Sequence, residues 1–238
     1  MGIEAGSSTY YQAKRGIVQD GLVLHLDAGV KESYGGAGNT WYDLSGNNAN
    51  TSPSWSSAYL SNYGGSINYP TQSNALTTLT ASQLGVGDTN FTASVFLFKK
   101  SNPPLHNLQG MLGFDKMKIW NTTYFYVAFK RNDNTYYNVA WDDTTESALR
   151  DQWIELCYSW GNGQLKLYRN GSIKKTLNIN STISDTFQSI QSDAFRIGAG
   201  MGYYNFYGHV ASARLYNRVL PGNEVQQNFN ATRHRFGI

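Results

Sequence analysis

The sequence is poor in cysteine, in charge and in long apolar runs. Its single cysteine, Cys157, excludes an intrachain disulfide framework and a cysteine-based metal cluster. Charged residues make up 15% of the chain and the formal net charge is +3, which is too weak for a nucleic-acid-binding face. No apolar run approaches the roughly 18 residues of a membrane span, and the N-terminus lacks the apolar segment of a secretory signal.

Glycine and aromatic residues are plentiful instead, and they come in short runs that alternate between apolar and polar. Residues 153–161 place Ile154, Leu156, Tyr158 and Trp160 on one face of a strand. Asn170-Gly171 then predicts a two-residue hairpin turn, because both central residues of a type I′ turn need positive φ. The same turn predicts that Arg169 pairs with Ser172, Tyr168 with Ile173 and Lys166 with Lys175.

Further runs of this kind recur at short spacing and predict an all-β fold, an antiparallel two-sheet β-sandwich of the jelly-roll type. One short C-terminal helix is predicted at residues 220–229, where a proline and an early glutamate precede Val225 and Phe229. We divide the chain into an N-terminal arm (1–19), a jelly-roll domain (20–228) and a C-terminal tail (229–238). The main strand candidates are residues 21–27, 66–69, 91–98, 111–114, 117–120, 124–129, 136–141, 195–199 and 206–216.

An ordered set of motifs resembles the laminin-G-like, concanavalin A-like lectin/glucanase jelly roll over residues 20–230. The segments that carry the resemblance are GLVLHLD (21–27), WYDLSGN (41–47), Trp153 with LKLYRNG (165–171), RIG (196–198), FYGHV (206–210) and LYNRVLP (215–221) with Glu224. The opening GLVLHLDAG (21–29) and the close NRVLPGNEVQQNFNATRHRFGI (217–238) are similar to a subgroup found in tailed-phage structural proteins. The resemblance implies a virion component, such as a capsid decoration, fibre or tail-associated adhesin. It also implies other virion proteins as partners, a homo-oligomer, and synthesis in the host cytoplasm without a secretory signal.

Catalytic chemistry is not supported by the residues. Glycoside hydrolases need two carboxylates about 5–10 Å apart, and those on the fold that this chain resembles carry them as Glu-x-Asp-x-(x)-Glu on one strand. The closest segment here contains Asp142, Asp143 and Glu146, which we interpret as a solvated loop. Cys157 alternates with apolar neighbours and is predicted to be a buried, inert thiol. The sequence therefore predicts a protein that is not an enzyme.

Carbohydrate binding is the function that the aromatic residues favour, because the apolar faces of sugars stack on aromatic rings while amide and carboxylate groups bond their hydroxyls. We predict host-surface glycans as ligands, and a free carbohydrate-binding module is the alternative to a virion protein. A glycoside hydrolase ranks third for lack of the carboxylate motif. The candidate glycan-binding residues lie in a middle hairpin and in a glycine-flanked loop: Trp120, Tyr124, Tyr126, Asn132, Asp133, Tyr136, Trp141, Tyr203 and Tyr204.

Two further sets of residues are candidates for binding. Calcium is the one cofactor that the resemblance admits, with Asp27 and Asp43 as its candidate ligands, although no EF-hand spacing is present. Asp43 is also explained as a turn-forming residue. The tail is predicted to anchor in a groove of a partner protein through its basic and apolar residues, Arg233, Arg235, Phe236 and Ile238.

Overall fold

Two antiparallel β-sheets face each other across a shared apolar core. The computed structural model describes residues 16–53, 58–61, 64–73, 75–101, 108–198 and 206–238. The eight-stranded sheet has the order β13-β12-β11-β6-β15-β4-β3, with β1 also paired to β15. The seven-stranded sheet has the order β10-β9-β8-β7-β14-β5-β2. The predicted all-β sandwich is thereby confirmed.

The strands are short and are numbered in the order in which they occur along the chain. Their bounds are β1 Leu22–Asp27, β2 Thr51–Pro53, β3 Ala58–Leu60, β4 Ser66–Ser73, β5 Ala75–Thr80, β6 Phe91–Lys99, β7 Gln109–Gly113, β8 Met117–Asn121, β9 Phe125–Lys130, β10 Tyr136–Ala140, β11 Trp153–Gly161, β12 Gln164–Arg169, β13 Ser172–Asn178, β14 Ala194–Ile197 and β15 Phe206–Tyr216. Two α-helices are described, α1 Ser181–Ser184 and α2 Gly222–Arg233, with short 3₁₀ turns at Glu146–Leu149 and His234–Phe236. None of the described helices is long and apolar enough to cross a membrane.

Strand β11 shows how the alternating sequence builds the sandwich. Its predicted apolar face, which includes Leu156 and Tyr158, lies in the main core between the two sheets. The opposite face is buried as well, because helix α2 and the segment after it lie over it. Cys157 on that face is a buried free thiol packed near Val225 of the helix, as predicted. The eight-stranded sheet is therefore covered on both faces along its centre.

The hairpin at Asn170-Gly171 confirms the predicted turn and corrects part of the predicted register. Both turn residues have positive φ, 52° and 73°. Tyr168 pairs with Ile173 as predicted, but Lys166 pairs with Thr176 and not with Lys175, because a β-bulge shifts the register by one residue. The Nζ of Lys175 instead donates a hydrogen bond to the carbonyl oxygen of Ala140, 3.1 Å away. The bulge thus removes the opposition of two like charges that a regular ladder would create.

The predicted C-terminal helix is present, but the predicted boundary between domain and tail is wrong. Helix α2 runs to Arg233, so a boundary at residue 229 falls inside it. The helix buries Val225, Asn228, Phe229 and Thr232. The side-chain Oδ1 of Asn228 also accepts the backbone N–H of Val18 at 2.9 Å, which ties the last part of the predicted N-terminal arm to the helix. Residues 229–236 therefore belong to the domain, whereas residues 1–15 of the arm lie outside the described residues.

A buried charged pair lies between the eight-stranded sheet and helix α2. Glu155 and Arg214 are both buried, each with 1% of its surface exposed. Nη1 of Arg214 lies 3.4 Å from Oε1 of Glu155. The other guanidinium nitrogen, Nη2, donates to the hydroxyl of Thr232 in α2 at 2.6 Å. Burial raises the pKa of Glu155 from 4.5 to about 7, and the nearby Arg214 only partly offsets this. The folded protein therefore binds a proton at Glu155 more tightly than the unfolded chain does.

This carboxyl should make the stability of the protein depend on pH. Because the folded-state pKa of Glu155 lies above the unfolded value, its ionisation destabilises the fold as pH rises through about 7. We expect the free energy of unfolding of Glu155→Gln, relative to that of the wild type, to increase by about 2 kcal/mol from pH ~5 to pH ~8. Lys118 and His209, with pKa values that burial lowers to about 8 and about 4, titrate in both proteins and cancel in the difference. Urea unfolding of both proteins across this pH range measures the difference in their free energies of unfolding. A difference that does not change with pH would contradict the raised pKa of Glu155.

Candidate functional site

The outward face of strands β8, β9 and β10 carries an array of aromatic and polar side chains. The alternation of these strands sends Ile119 and Val127 into the main core and leaves Trp120 and Tyr126 on the opposite face. Trp120 and Tyr126 are direct cross-strand partners. We call the outward set formed by Lys118, Trp120, Tyr124, Tyr126, Tyr136 and Asn138 the aromatic face.

The aromatic face is held in place by contacts among its own members. The rings of Trp120 and Tyr126 lie 5.9 Å apart between centroids, and Tyr124 meets Tyr126 edge-on at 6.3 Å. The indole N–H of Trp120 donates a hydrogen bond to Oδ1 of Asn138 at 3.0 Å. Trp120, Tyr124 and Tyr126 are half-buried and Asn138 is exposed. The rings are therefore accessible and fixed in orientation before any ligand arrives.

A lysine lies beside the rings on the same face. Lys118 is 4% exposed, and its Nζ lies over the ring of Tyr136, 5.6 Å from the centroid. Burial lowers the pKa of Lys118 to about 8, an effect that the carboxylate of Asp115 partly opposes. Arg196 pairs with that carboxylate, Nε to Oδ1 at 2.8 Å. The polar side of the aromatic face thus carries cationic groups, one of which is held in place by an ion pair.

The structure brings only part of the predicted glycan-binding set together. Trp120, Tyr124 and Tyr126 cluster at one end of the β8–β9 hairpin. Asn132 and Asp133 lie beyond the other end of β9, about 20 Å along the strand from Tyr126 by the rise per residue. Asp133 there forms a turn, since its Oδ1 accepts the N–H and the hydroxyl of Thr135 at 2.9 and 2.6 Å.

Trp141 of that set does not contribute to the aromatic face. Trp141 is 2% exposed and lies in the main core, where its indole N–H donates to the carbonyl oxygen of Tyr168 at 3.0 Å. The prediction that Trp141 contacts glycan is therefore wrong, because no ligand can reach it in the folded domain. Tyr203 and Tyr204 lie outside the described residues.

Two members of the aromatic face were missed at the level of sequence, Lys118 and Asn138. The signal that could have found them is the period of two, since Lys118 alternates with buried Met117 and Ile119, and Asn138 alternates with Tyr137 and Val139. Their place on either side of Ala128 depends on the register of three strands. That register was not assigned from the sequence.

The carboxylates nearest to a hydrolase pattern are engaged in ion pairs. The interpretation of Glu146 as part of a solvated loop is wrong, because its side chain is 1% exposed. Its Oε1 lies 2.6 Å from Nζ of the fully buried Lys99, and its Oε2 lies 2.6 Å from Nη2 of Arg150. Asp142 pairs with Nη1 of Arg169 at 2.8 Å. These ion pairs hold the loop to the sandwich.

The two carboxylates predicted as calcium ligands bind donors of the chain itself. Asp27 pairs with Arg235, whose Nη1 lies 2.7 Å from its Oδ1. Asp43 accepts hydrogen bonds from donors around its turn, namely the N–H groups of His25, Ser45 and Ala49 and the hydroxyl of Ser45. Across the described ranges, no group of three or more His, Cys, Asp or Glu side chains could hold a metal ion. Asp27 and Asp43 therefore do not fit a calcium site, and calcium binding stays an untested prediction.

The residues predicted to anchor in a partner protein mostly contact this chain. The ring of Phe236 stacks 4.5 Å from that of Phe96 and lies 4.2 Å from that of Trp153. Arg235 is held by its ion pair with Asp27. Arg233 is exposed with its guanidinium over the ring of Phe229, and Ile238 is 38% exposed. The groove that receives Phe236 thus belongs to the same domain.

Comparisons with known proteins agree with this architecture. The binding domain of botulinum neurotoxin serotype D in complex with N-acetylneuraminic acid aligns with a TM-score of 0.67 and 14% identity, over 92% of this chain and 52% of that one. The binding domain of Paraclostridial Mosquitocidal Protein 1 aligns with a TM-score of 0.66 and 17% identity, over 90% and 52%. The chain thus spans about half the length of these toxin domains.

A third structure matches along almost its whole length. Domain 4 of AbnA, a GH43 extracellular arabinanase from Geobacillus stearothermophilus, in complex with arabinotriose, aligns with a TM-score of 0.61 and 16% identity, over 87% of this chain and 97% of that one. Among curated protein sequences no match is found. The family described as the concanavalin A-like lectin/glucanases superfamily, in its laminin G form, matches residues 77–226, more than half of the chain. The chain therefore belongs to the concanavalin A-like lectin/glucanase superfamily.

Proposed function

We propose that this protein is a non-enzymatic carbohydrate-binding domain and that the aromatic face of strands β8–β10 is its ligand surface. The observation that carries the proposal is the array of Trp120, Tyr126 and Tyr124, outward-facing and accessible beside Asn138. Structures of similar fold in complex with N-acetylneuraminic acid and with arabinotriose support a saccharide as the class of ligand.

The chemistry of the aromatic face suits a saccharide. The C–H groups on one side of a pyranose or furanose ring form an apolar patch that packs on an indole or phenol ring. The amide of Asn138 can bond a sugar hydroxyl next to the ring of Trp120, whose N–H already orients that amide. Because the rings are fixed by their own contacts, little side-chain entropy is lost when a ligand binds.

The ion pairs of Glu146 and Asp142 support a binding role over hydrolysis. A glycosidase needs one carboxyl to protonate the leaving oxygen and another to act as nucleophile or base. Glu146 and Asp142 are each neutralised by a basic side chain within 2.8 Å. We infer that a bound saccharide leaves the domain unchanged.

A glycan array probed with the wild type and with Trp120→Ala tests this function. We expect the wild type to retain a defined set of glycans and the variant to bind them at least about tenfold more weakly, a loss of ~1.4 kcal/mol or more. Tyr42→Ala is the matched control, since it removes a 51%-exposed aromatic side chain elsewhere on the domain. No retained glycan, or equal affinity of the wild type and Trp120→Ala, would contradict the proposal.

We further propose that the domain serves as a structural or adhesive component of a phage particle, as a homo-oligomer. The support is the resemblance of the first and last segments to tailed-phage structural proteins. In the fold these segments lie side by side, because the N–H of Asn217 donates to the carbonyl oxygen of Gly21 and Arg235 binds Asp27 at the end of β1.

Mass spectrometry of purified heads and tails would test this assignment, and light scattering would test the oligomeric state. We expect the chain in one of the two fractions and a mass that is a multiple of 26.5 kDa. A monomeric chain that is missing from intact particles would favour a free carbohydrate-binding module.

A further inference from the structure

A small pocket opens on the side of the same strands that is opposite to the aromatic face. It has a volume of about 180 Å³ and lies between the segment after α1, the loop before β6 and the ends of β8, β9 and β11. Pockets for drug-sized ligands begin at about 300 Å³, so this one suits a smaller molecule. It is separate from the ligand surface proposed above, because Phe129 and Met117 point inward from strands whose Trp120 and Tyr126 point outward.

The inner wall of the pocket is aromatic and rigid. Phe129 and Phe187 stack with centroids 4.5 Å apart and an interplanar angle of 19°. Trp160 meets Phe129 edge-on at 5.4 Å, and its indole N–H donates to the carbonyl oxygen of Asp88 at 2.9 Å. Phe187 is held in position because its neighbours form backbone hydrogen bonds to the end of β9. The N–H of Gln188, for example, donates to the carbonyl oxygen of Lys130 at 2.8 Å. The rings present a fixed apolar wall.

The rim of the pocket is acidic. Oδ1 of Asp88 accepts hydrogen bonds from the hydroxyl of Ser189 at 3.0 Å and the N–H of Ile190 at 2.7 Å, which fixes this carboxylate at the entrance. Asp185 is a second, exposed carboxylate on the rim. The one basic side chain in the lining, Lys116, has its Nζ 2.7 Å from Oδ1 of Asp193 and is thus neutralised. The rim therefore keeps an excess of negative charge next to an aromatic wall.

We propose that this pocket binds a small organic ammonium compound, with its cationic group between Asp88 and Asp185 and its carbon skeleton against the aromatic wall. Aromatic rings attract a cation through their quadrupole, and the carboxylates supply the opposite charge. A calcium ion fits less well, because it needs six to eight oxygen ligands and much of the lining is apolar. The ammonium could be that of an amino sugar or a quaternary amine, and the two sources share this chemistry.

Titration by NMR with glucosamine and with choline tests the proposal, with glucose, N-acetylglucosamine and calcium chloride as comparison ligands. The reporter is the indole N–H resonance of Trp160, whose hydrogen bond to Asp88 lies at the pocket. We expect it to shift saturably with at least one of the two ammonium compounds. Glucosamine alone would identify an amino sugar and choline alone a quaternary amine.

Three variants complete the test. Asp185→Asn keeps the shape of an exposed side chain while removing its charge, and we expect it to weaken binding of the ammonium compound by about fivefold or more. Phe187→Leu should weaken it similarly, whereas Asp143→Asn, which neutralises an exposed carboxylate of another loop, should not. Three results would overturn the proposal: no shift of Trp160 with either ammonium compound, equal shifts with the neutral sugars, or a response to calcium alone. None of them bears on Trp120, so failure here would leave the proposed glycan surface standing.

Discussion

Deletion of residues 229–238 is expected to destabilise the domain by more than about 5 kcal/mol. The deletion removes Phe229 and Thr232 from helix α2 and Phe236 from the groove lined by Phe96 and Trp153. Truncating one buried phenylalanine alone costs about 3–5 kcal/mol, and whole domains are stable by only about 5–15 kcal/mol. The guanidinium of Arg214 would also lose the hydroxyl of Thr232. We therefore expect a largely unfolded or insoluble product, as measured by circular dichroism and urea unfolding.

Removal of Ile238 alone is the control for this truncation, because that side chain is 38% exposed and its loss should leave the unfolding midpoint unchanged. A deleted chain that unfolds at the wild-type urea concentration would contradict the assignment of residues 229–236 to the domain. Since the deletion disrupts the fold, it cannot test assembly. Arg233→Ala, at an exposed position on α2, is the better probe of a contact with another protein.

Glu146→Ala is expected to lower the free energy of unfolding by about 3–5 kcal/mol. Glu146 lies 2.6 Å from the ammonium of Lys99, and both side chains are almost fully buried. Burial lowers the pKa of Lys99, and its contact with Glu146 opposes that effect. Removing the carboxylate leaves a charge in the interior without its partner, which is the costly way to break a buried ion pair. Urea unfolding near neutral pH measures the loss.

Two variants show whether the loss comes from the buried pair. Asp143→Ala, three residues earlier and exposed, should change the stability by less than about 0.5 kcal/mol. The double variant Lys99→Met/Glu146→Leu should recover most of the stability that Glu146→Ala loses, because apolar side chains can replace a buried pair at little cost. A loss below about 1 kcal/mol for Glu146→Ala would contradict the structural role of this pair.

Local sequence patterns predicted the long central strands and the turns, because those patterns have local causes. Strands β6, β11 and β15 are apolar enough to be recognised without a partner, and the Asn170-Gly171 turn follows from the φ angles that it requires. Strands β2 and β5 were not predicted, since their sequences TSP and ALTTLT are short or polar. They become strands through hydrogen bonds to each other and to β14, which no local pattern shows.

The candidate site was predictable in part, for the same reason. The aromatic residues Trp120, Tyr124 and Tyr126 stand close together in the chain, so their clustering follows from one hairpin. The burial of Trp141 and Glu146 depends on contacts with residues far away in sequence, Tyr168 and Lys99. The residue type of a polar or aromatic loop residue does not indicate such contacts. Phe236 was assigned to a partner protein because its own groove is formed by strands far from it in sequence.

The central claim is that the aromatic face around Trp120 binds saccharide, and the indole N–H resonances of the tryptophans test it most directly. Trp120 is the half-buried one among the described tryptophans, whereas Trp41, Trp141, Trp153 and Trp160 are at most 8% exposed. On titration with a glycan retained by the array, we expect the Trp120 resonance to shift saturably and that of Trp141 to stay in place. A retained glycan that leaves the Trp120 resonance unmoved would contradict the claim.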